Sequence, residues 1–206
     1  GIKQTSGTDN VIIVTKNGKC ICFSEDDVRP MGRISGGVRA IKLEEDDEVV
    51  AMELVQPDEQ LLVVTKNGYG KRTPVKDYKI QVRGGKGLLT YDKAKFKKTG
   101  ELVGAMVVSD DDEVLLINSD GIIIRIKSSE VSKLGRATQG VKIMRVAEDC
   151  EIISIAKVIK EDEELEEAGF GACGPVGDAK ANGKAMAEEE DGPEQISLGE
   201  VEQELE

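Results

Sequence analysis

The 206-residue sequence contains no histidine and no tryptophan, and its aromatic side chains are three Tyr and three Phe. Without histidine the commonest general base and metal ligand are gone, and with them most Ser-His and Cys-His hydrolase schemes. A carboxylate-based enzyme stays open, but the acids fall mainly in runs such as EEDDE from Glu44 and SDDDE from Ser109, which suit solvated turns. No apolar run approaches the roughly 18 residues of a membrane span. The opening GIKQTSGTDN lacks the apolar core of a secretory signal, and it begins without Met, as a piece of a longer protein would. The four cysteines (Cys20, Cys22, Cys150, Cys173) show no C-x-x-C spacing. Cys20 and Cys22 share one side of a strand and read as small buried thiols in a reducing cytoplasm.

Glycine and positive charge coincide in QVRGGKGLLT, Gln81 to Thr90, which suggests a grip on phosphate. A P-loop requires G-x-x-x-x-G-K-[ST], so that backbone N–H groups wrap the phosphates and a hydroxyl reaches the metal. Lys86 follows Gly85, but Ile80 stands at the first glycine position and Gly87 where the hydroxyl belongs. Lys71 fails as well, with Thr65 and Arg72 at those places, and G-x-G-x-x-G is absent from this loop. Nucleotide binding is therefore not expected.

The net charge of −12 argues against nucleic acid until its distribution is read. Gly1 to Val158 holds 25 Lys+Arg against 24 Asp+Glu, whereas Ile159 to Glu206 holds 3 against 16. Within the body, Lys66 to Lys98 carries 11 basic residues and only Asp77 and Asp92 as acids, a block typical of interaction surfaces.

A repeat organises the body. VIIVTKNGKCICF from Val11, LLVVTKNGYGKRT from Leu61 and VLLINSDGIIIRI from Val114 each read as strand, turn glycine (Gly18, Gly68, Gly121), strand. Their Asn-Gly and Asp-Gly dipeptides predict hairpins with type I′ turns. A second shared element follows in each: GRISGGVRAIKL from Gly32, VRGGKGLLTY from Val82, GRATQGVKIMRV from Gly135. Its common core is an Arg, three residues, then a Gly: Arg33 to Gly37, Arg83 to Gly87, Arg136 to Gly140. A polar turn and another apolar strand (VVAMELV, LVGAMVV, IISIAKV) complete the unit. Units of about fifty residues with about four strands predict propeller-like blades. The continuous runs VIIV, LLVV and VLLI suggest strands covered on both faces. The expected fold is all-β, an array of about three four-stranded blades (about 11–59, 60–112, 113–158) forming a partial ring. The segment 159–206, rich in Gly, Ala and Glu, reads as a disordered acidic tail.

On these residues, above all KNGYGKRTPVKDY, QVRGGKG and SEVSKLGRATQGVKI, the chain resembles the C-terminal domain of the gyrase A protein of the DNA gyrase family over Val11 to Val158. The resemblance implies a β-pinwheel, a propeller-like ring that wraps DNA around its rim, here its last three blades. It implies duplex DNA as a partner, together with the rest of gyrase A and with gyrase B in an A2B2 complex, with no membrane, in the bacterial cytoplasm at the nucleoid. No cofactor is implied for this chain; ATP and magnesium belong to other parts of the parent topoisomerase. The family's Gln-Arg-Arg-Gly-Gly-Lys-Gly box departs here to QVRGGKG, with Val82 at its first arginine, so the box itself is expected upstream. The breakage-reunion domain is also expected elsewhere. Tyr69, Tyr78 and Tyr91 match blade positions, and none is expected to be the catalytic nucleophile.

Residues and resemblance together assign the phosphate to DNA. Arg83 and Lys86 supply charge, while Gly84, Gly85 and Gly87 let backbone N–H groups approach the phosphodiester. The same slot offers Arg33 and Arg39 in the first repeat and Arg136 and Lys142 in the third. Lys66, Lys71, Arg72, Lys76 and Lys79 add to the second. The repeated arginines and glycines would equally serve to cap strands and tie blades together. Lys71, Arg72, Lys76, Lys79 and Lys86 occur only in the second repeat, which argues against a packing role for them. Three rival readings stand beside gyrase: a topoisomerase IV-type domain, a kelch-like protein-interaction propeller, and a repeat with no ligand.

Overall fold

A computed structural model describes residues 1–158, so the segment 159–206 expected to be a disordered tail lies outside the described residues. Eleven strands follow in order: β1 (Asn10–Thr15), β2 (Lys19–Ser24), β3 (Val49–Val55), β4 (Gln60–Thr65), β5 (Tyr69–Pro74), β6 (Leu88–Leu89), β7 (Leu102–Val108), β8 (Glu113–Asn118), β9 (Ile123–Lys127), β10 (Val141–Lys142) and β11 (Ile152–Lys157). They form three antiparallel sheets, ordered β3-β1-β2-β6, β10-β5-β4-β7 and β11-β8-β9. The repeat is therefore visible in three dimensions, with one exchange. The fourth strand of the first sheet, β6, belongs to the second repeat, and that of the second sheet, β10, to the third. Each of these two blades is completed by the chain of the next.

The apolar runs alternate between two cores, as a period of two requires. Ile12, Val14, Cys20 and Cys22 face the second sheet and pack with Leu61, Val63, Tyr78 and Leu102. Ile13, Ile21 and Phe23 point the other way, onto Ile41. Leu62 and Val64 face the third sheet, meeting Val114, Leu116, Val131 and Ile152. All six residues of β4 are buried, so LLVV is covered on both faces. VLLI is not: β8 alternates buried and half-buried residues, because one face of the third sheet has no covering layer among the described residues.

The hairpins differ from type I′ turns. Gly18, Gly68 and Gly121 have φ of +79°, +80° and +78°, whereas Asn17, Asn67 and Asp120 do not have positive φ. Gly18 donates to the Thr15 carbonyl at 3.0 Å, Gly68 to Thr65 at 3.1 Å and Gly121 to Asn118 at 3.1 Å. Three-residue loops closed by a left-handed glycine result. A side chain braces each one: Thr15 Oγ1 and Thr65 Oγ1 accept from the amides of Lys19 and Tyr69 at 3.2 Å, and Asn118 Oδ1 accepts from Ile122 at 2.8 Å. That brace competes with the two-residue turn and selects the longer loop.

Candidate nucleic-acid interface

The Arg-xxx-Gly elements are loops that dock on one another. Gly84 donates to the Ala40 carbonyl at 2.7 Å and Lys42 to the Gly85 carbonyl at 2.8 Å, locking the first two loops together. Arg83 reinforces the lock, its Nη1 donating to the Arg39 carbonyl at 2.8 Å and its Nε to that of Asp27 at 3.2 Å. Beyond Gly87 the chain reaches the third loop: the Tyr91 hydroxyl donates to the Gln139 carbonyl, and the Asp92 amide approaches that of Thr138 at 3.4 Å. One contiguous line of loops thus runs from Arg33 to Lys142.

The predicted cations fall into distinct groups along this line. Arg33, Arg39, Lys76, Lys79, Lys86 and Lys142 are exposed, and none has a carboxylate partner among the described residues. Arg136 is half-buried and likewise unpaired there, while Lys66 is half-buried and ion-paired with Glu151 at 3.1 Å. Arg83 is half-buried and spends two donors on carbonyls, so it shapes the loop first.

Lys71 and Arg72 correct the sequence reading. Although they are specific to the second repeat, they are buried and hold blades together. Lys71 is fully buried; its Nζ donates to the Gly135 carbonyl at 2.6 Å and to that of Arg136, and lies 5.8 Å from the Tyr91 ring centre. Burial draws its pKa down to about 7, and the neutral amine still has two hydrogens for the two carbonyls. Arg72 donates Nε to the Val131 carbonyl at 2.8 Å, Nη2 to that of Ser129 at 3.2 Å, and Nη1 to the Asp110 carboxylate. Lys133 and Arg72 together hold the Asp110 carboxyl down to about 2. Neither buried cation can face a duplex in this arrangement.

The glycines divide too. Gly87 and Gly140 have φ of +71° and +75° and pack on the preceding blade. A Cβ at Gly87 would collide with the Cys20 carbonyl oxygen, and one at Gly140 would lie 2.6 Å from that of Gly70. Gly87 is thus required by the strand exchange, and the Gly84 N–H is committed to Ala40. Gly85 and Lys86 remain outside such bonds, and their N–H groups donate to no protein acceptor among the described residues.

Four exposed lysines carry no assignment in the sequence reading. Lys42 sits at the loop–loop lock, and Lys95, Lys97 and Lys98 ride on the turn and short helix that follow Tyr91. Lys98 and Lys142 lie 5.5 and 5.8 Å from the centre of the Tyr69 ring, which gathers cations from two repeats. The KAKFKK run is a signal that the sequence does carry; the meeting of Lys98 and Lys142 is not, since it depends on the β5–β10 exchange.

A propeller-like array of strand-exchanged blades bearing a cationic, glycine-rich loop line defines the class of protein. The chain belongs to the DNA gyrase C-terminal domain, beta-propeller family, whose model matches residues 9–56, 59–109 and 112–160. The gyrase A protein of Mycolicibacterium smegmatis is 45% identical over 170 residues, covering 81% of this chain and 20% of that protein. The gyrase A protein of Staphylococcus aureus is 40% identical over 167 residues, covering 80% and 18%. The chain thus spans about a fifth of the length of these relatives. A DNA gyrase A C-terminal domain structure matches with a TM-score of 0.69 at 34% identity, covering 74% of this chain and 51% of that one. A DNA topoisomerase IV C-terminal domain matches with a TM-score of 0.74 at 26% identity, covering 81% and 51%. The chain is a type II topoisomerase C-terminal domain sequence.

Proposed function

We propose that residues 1–158 bind duplex DNA through its phosphates, without base readout, and help bend it along the blade rim. The observation that supports this reading is the line of interlocked loops whose exposed cations (Arg33, Arg39, Lys42, Lys86, Lys98, Lys142) lack carboxylate partners among the described residues. Cations on successive loops can follow a duplex backbone, and among the described residues no helix long enough to enter a major groove stands beside them. Binding of this kind depends on charge and on DNA deformability.

In the whole protein, this segment would serve gyrase A within an A2B2 gyrase that introduces negative supercoils using ATP and magnesium bound elsewhere, at the bacterial nucleoid. The gyrase A relatives at 40–45% identity favour that parent over topoisomerase IV, whose matching domain is 26% identical. The reading is tested by mobility shift with several unrelated duplexes of equal length. Equal affinities that fall together as salt rises support it; strong preference for one sequence, or no complex at low salt, contradicts it.

A further inference from the structure

The strand exchange leaves two half-joints unfilled at opposite ends of the array, and they match. In the first formed joint Lys19 pairs with Leu89 and Cys20 with Leu88; in the second Tyr69 pairs with Lys142 and Gly70 with Val141. Counted from the glycines, the two registers are identical: the residues one and two beyond Gly18 or Gly68 meet those two and one beyond Gly87 or Gly140. Further bonds repeat as well. The Gly18 carbonyl accepts from Thr90 and Tyr91, and that of Gly68 from Ile143 and Met144, three and four residues beyond the donor glycine. Six residues before it, Gln81 donates to Cys22 and Leu134 to Arg72, each four residues beyond the hairpin glycine.

The third acceptor and the first donor have no such partner among the described residues. β9 carries no fourth strand there, and Ile122 and Ile123 at its start are 54% and 57% exposed. A Cβ at Gly121 or at Gly37 would meet nothing within 4 Å, whereas the equivalent positions in the formed joints, Gly18, Gly68, Gly87 and Gly140, are all crowded. Gly37 already has the left-handed φ, +73°, that Gly87 and Gly140 use to dock. The amides of Ala40 and Ile41 donate to no acceptor among the described residues.

We infer that β9 of one copy of this chain receives Val38–Arg39 of a second copy, closing a two-copy, six-blade ring. The shared register pairs Ile123 with Val38 and Ile122 with Arg39, and directs the Ala40 and Ile41 amides to the Gly121 carbonyl. The contact is head-to-tail, so it closes only at a particular copy number. Propellers usually close with about four to eight blades; three blades from one copy fall short, six from two copies fit, and nine from three overshoot. The inference stands independently of the DNA reading.

The test is the mass of the full 206-residue chain by light scattering across micromolar concentrations. Twice the 22.2 kDa chain mass is expected. A single-chain mass throughout, or a series that keeps growing with concentration, overturns the two-copy ring. Two variants locate the joint. Gly37→Ala places a Cβ where the formed joints have none, and Ile123→Pro removes the N–H that faces the open side of β9. Each variant alone should be monomeric with a near-native circular dichroism spectrum. Mixed together they should pair, because one intact donor and one intact acceptor remain. Misfolding would not be rescued by mixing, so a mixture that stays monomeric, or single variants that remain dimeric, would overturn the assignment.

Discussion

Two stretches of the second repeat carry the same charge and opposite roles. β5 presents Lys71 and Arg72, and the loop from Gln81 to Gly87 presents Arg83 and Lys86. On β5 the cations are buried against carbonyls of the third repeat, and Lys71 has lost much of its basicity. On the loop Lys86 stands exposed and unpaired among the described residues. A basic block seen in sequence therefore mixes joints with contacts. What separates them is backbone position: a middle strand of a sheet packed on both sides buries what it carries, and a loop resting on another loop does not.

The sharpest way to break this comparison is to treat Arg72 as if it were a surface residue. Replacing it with Met leaves the Val131 and Ser129 carbonyls without their donor. A stability loss of about 2–4 kcal/mol is expected in urea unfolding of the chain. A change within about 0.5 kcal/mol, the usual range for surface substitutions, would place Arg72 with the loop cations.

Lys71 gives a pH-dependent version of the same contrast. Its folded pKa, about 7, lies below the ordinary value of 10.5, so above pH 7 the unfolded chain binds the proton that the folded chain has released. Its contribution to stability must therefore rise with pH above 7, and below 7 the burial penalty on the charge is felt in full. Cys20, pushed up to about 12 by burial, also adds a pH dependence of its own, but only above its ordinary value of 9.0. Between pH 7 and 9 the Tm of the parent chain should rise relative to Lys71→Met. Parallel curves would mean that Lys71 is solvated.

The acidic segment 159–206 extends the comparison to anions. Its 16 acids against 3 bases can compete for the exposed loop cations as a tethered DNA mimic at an effective concentration of about millimolar. A chain ending at Val158 should bind DNA several-fold more tightly at low salt, with the gain shrinking as salt screens the charges. Equal affinities at low salt would leave the segment as a solubility element. The smallest expected effect is at Tyr69. Tyr69→Phe should keep DNA affinity, while Tyr69→Leu should lower it by about 0.5–1 kcal/mol, because the ring face that gathers Lys98 and Lys142 is lost. Equal affinities for the two variants would show that the ring does not position these lysines.

Much of this fold is legible in the sequence because three copies of one pattern corroborate one another. The hairpin glycines, the run LLVV and the closing glycines at 37, 87 and 140 all mark positions where backbone geometry leaves little choice. The strand exchange is not legible, since Leu88–Leu89 reads equally well as the end of its own blade. The errors at Lys71 and Arg72 follow from that, because the carbonyls that hold them belong to the incoming loop. The turn type escapes the sequence because Thr15, Thr65 and Asn118 look like ordinary strand-end residues until their side chains are seen to accept the amide four residues on.

The division between joint and contact is tested most directly by the salt dependence of DNA affinity in three chains. Each phosphate neutralised on duplex DNA contributes about −0.9 to the slope of log affinity against log salt, so about five contacts give a slope between about −4 and −5 for the parent. Replacing Arg39, Lys42, Lys86 and Lys142 with Ala should leave a slope of about −1, lower the affinity equally for every sequence and move Tm little. Lys71→Met, which alters a joint, should keep the parent slope in the folded protein. The opposite pattern, with the parent slope surviving loss of the four loop cations and flattening on loss of Lys71, would contradict the account.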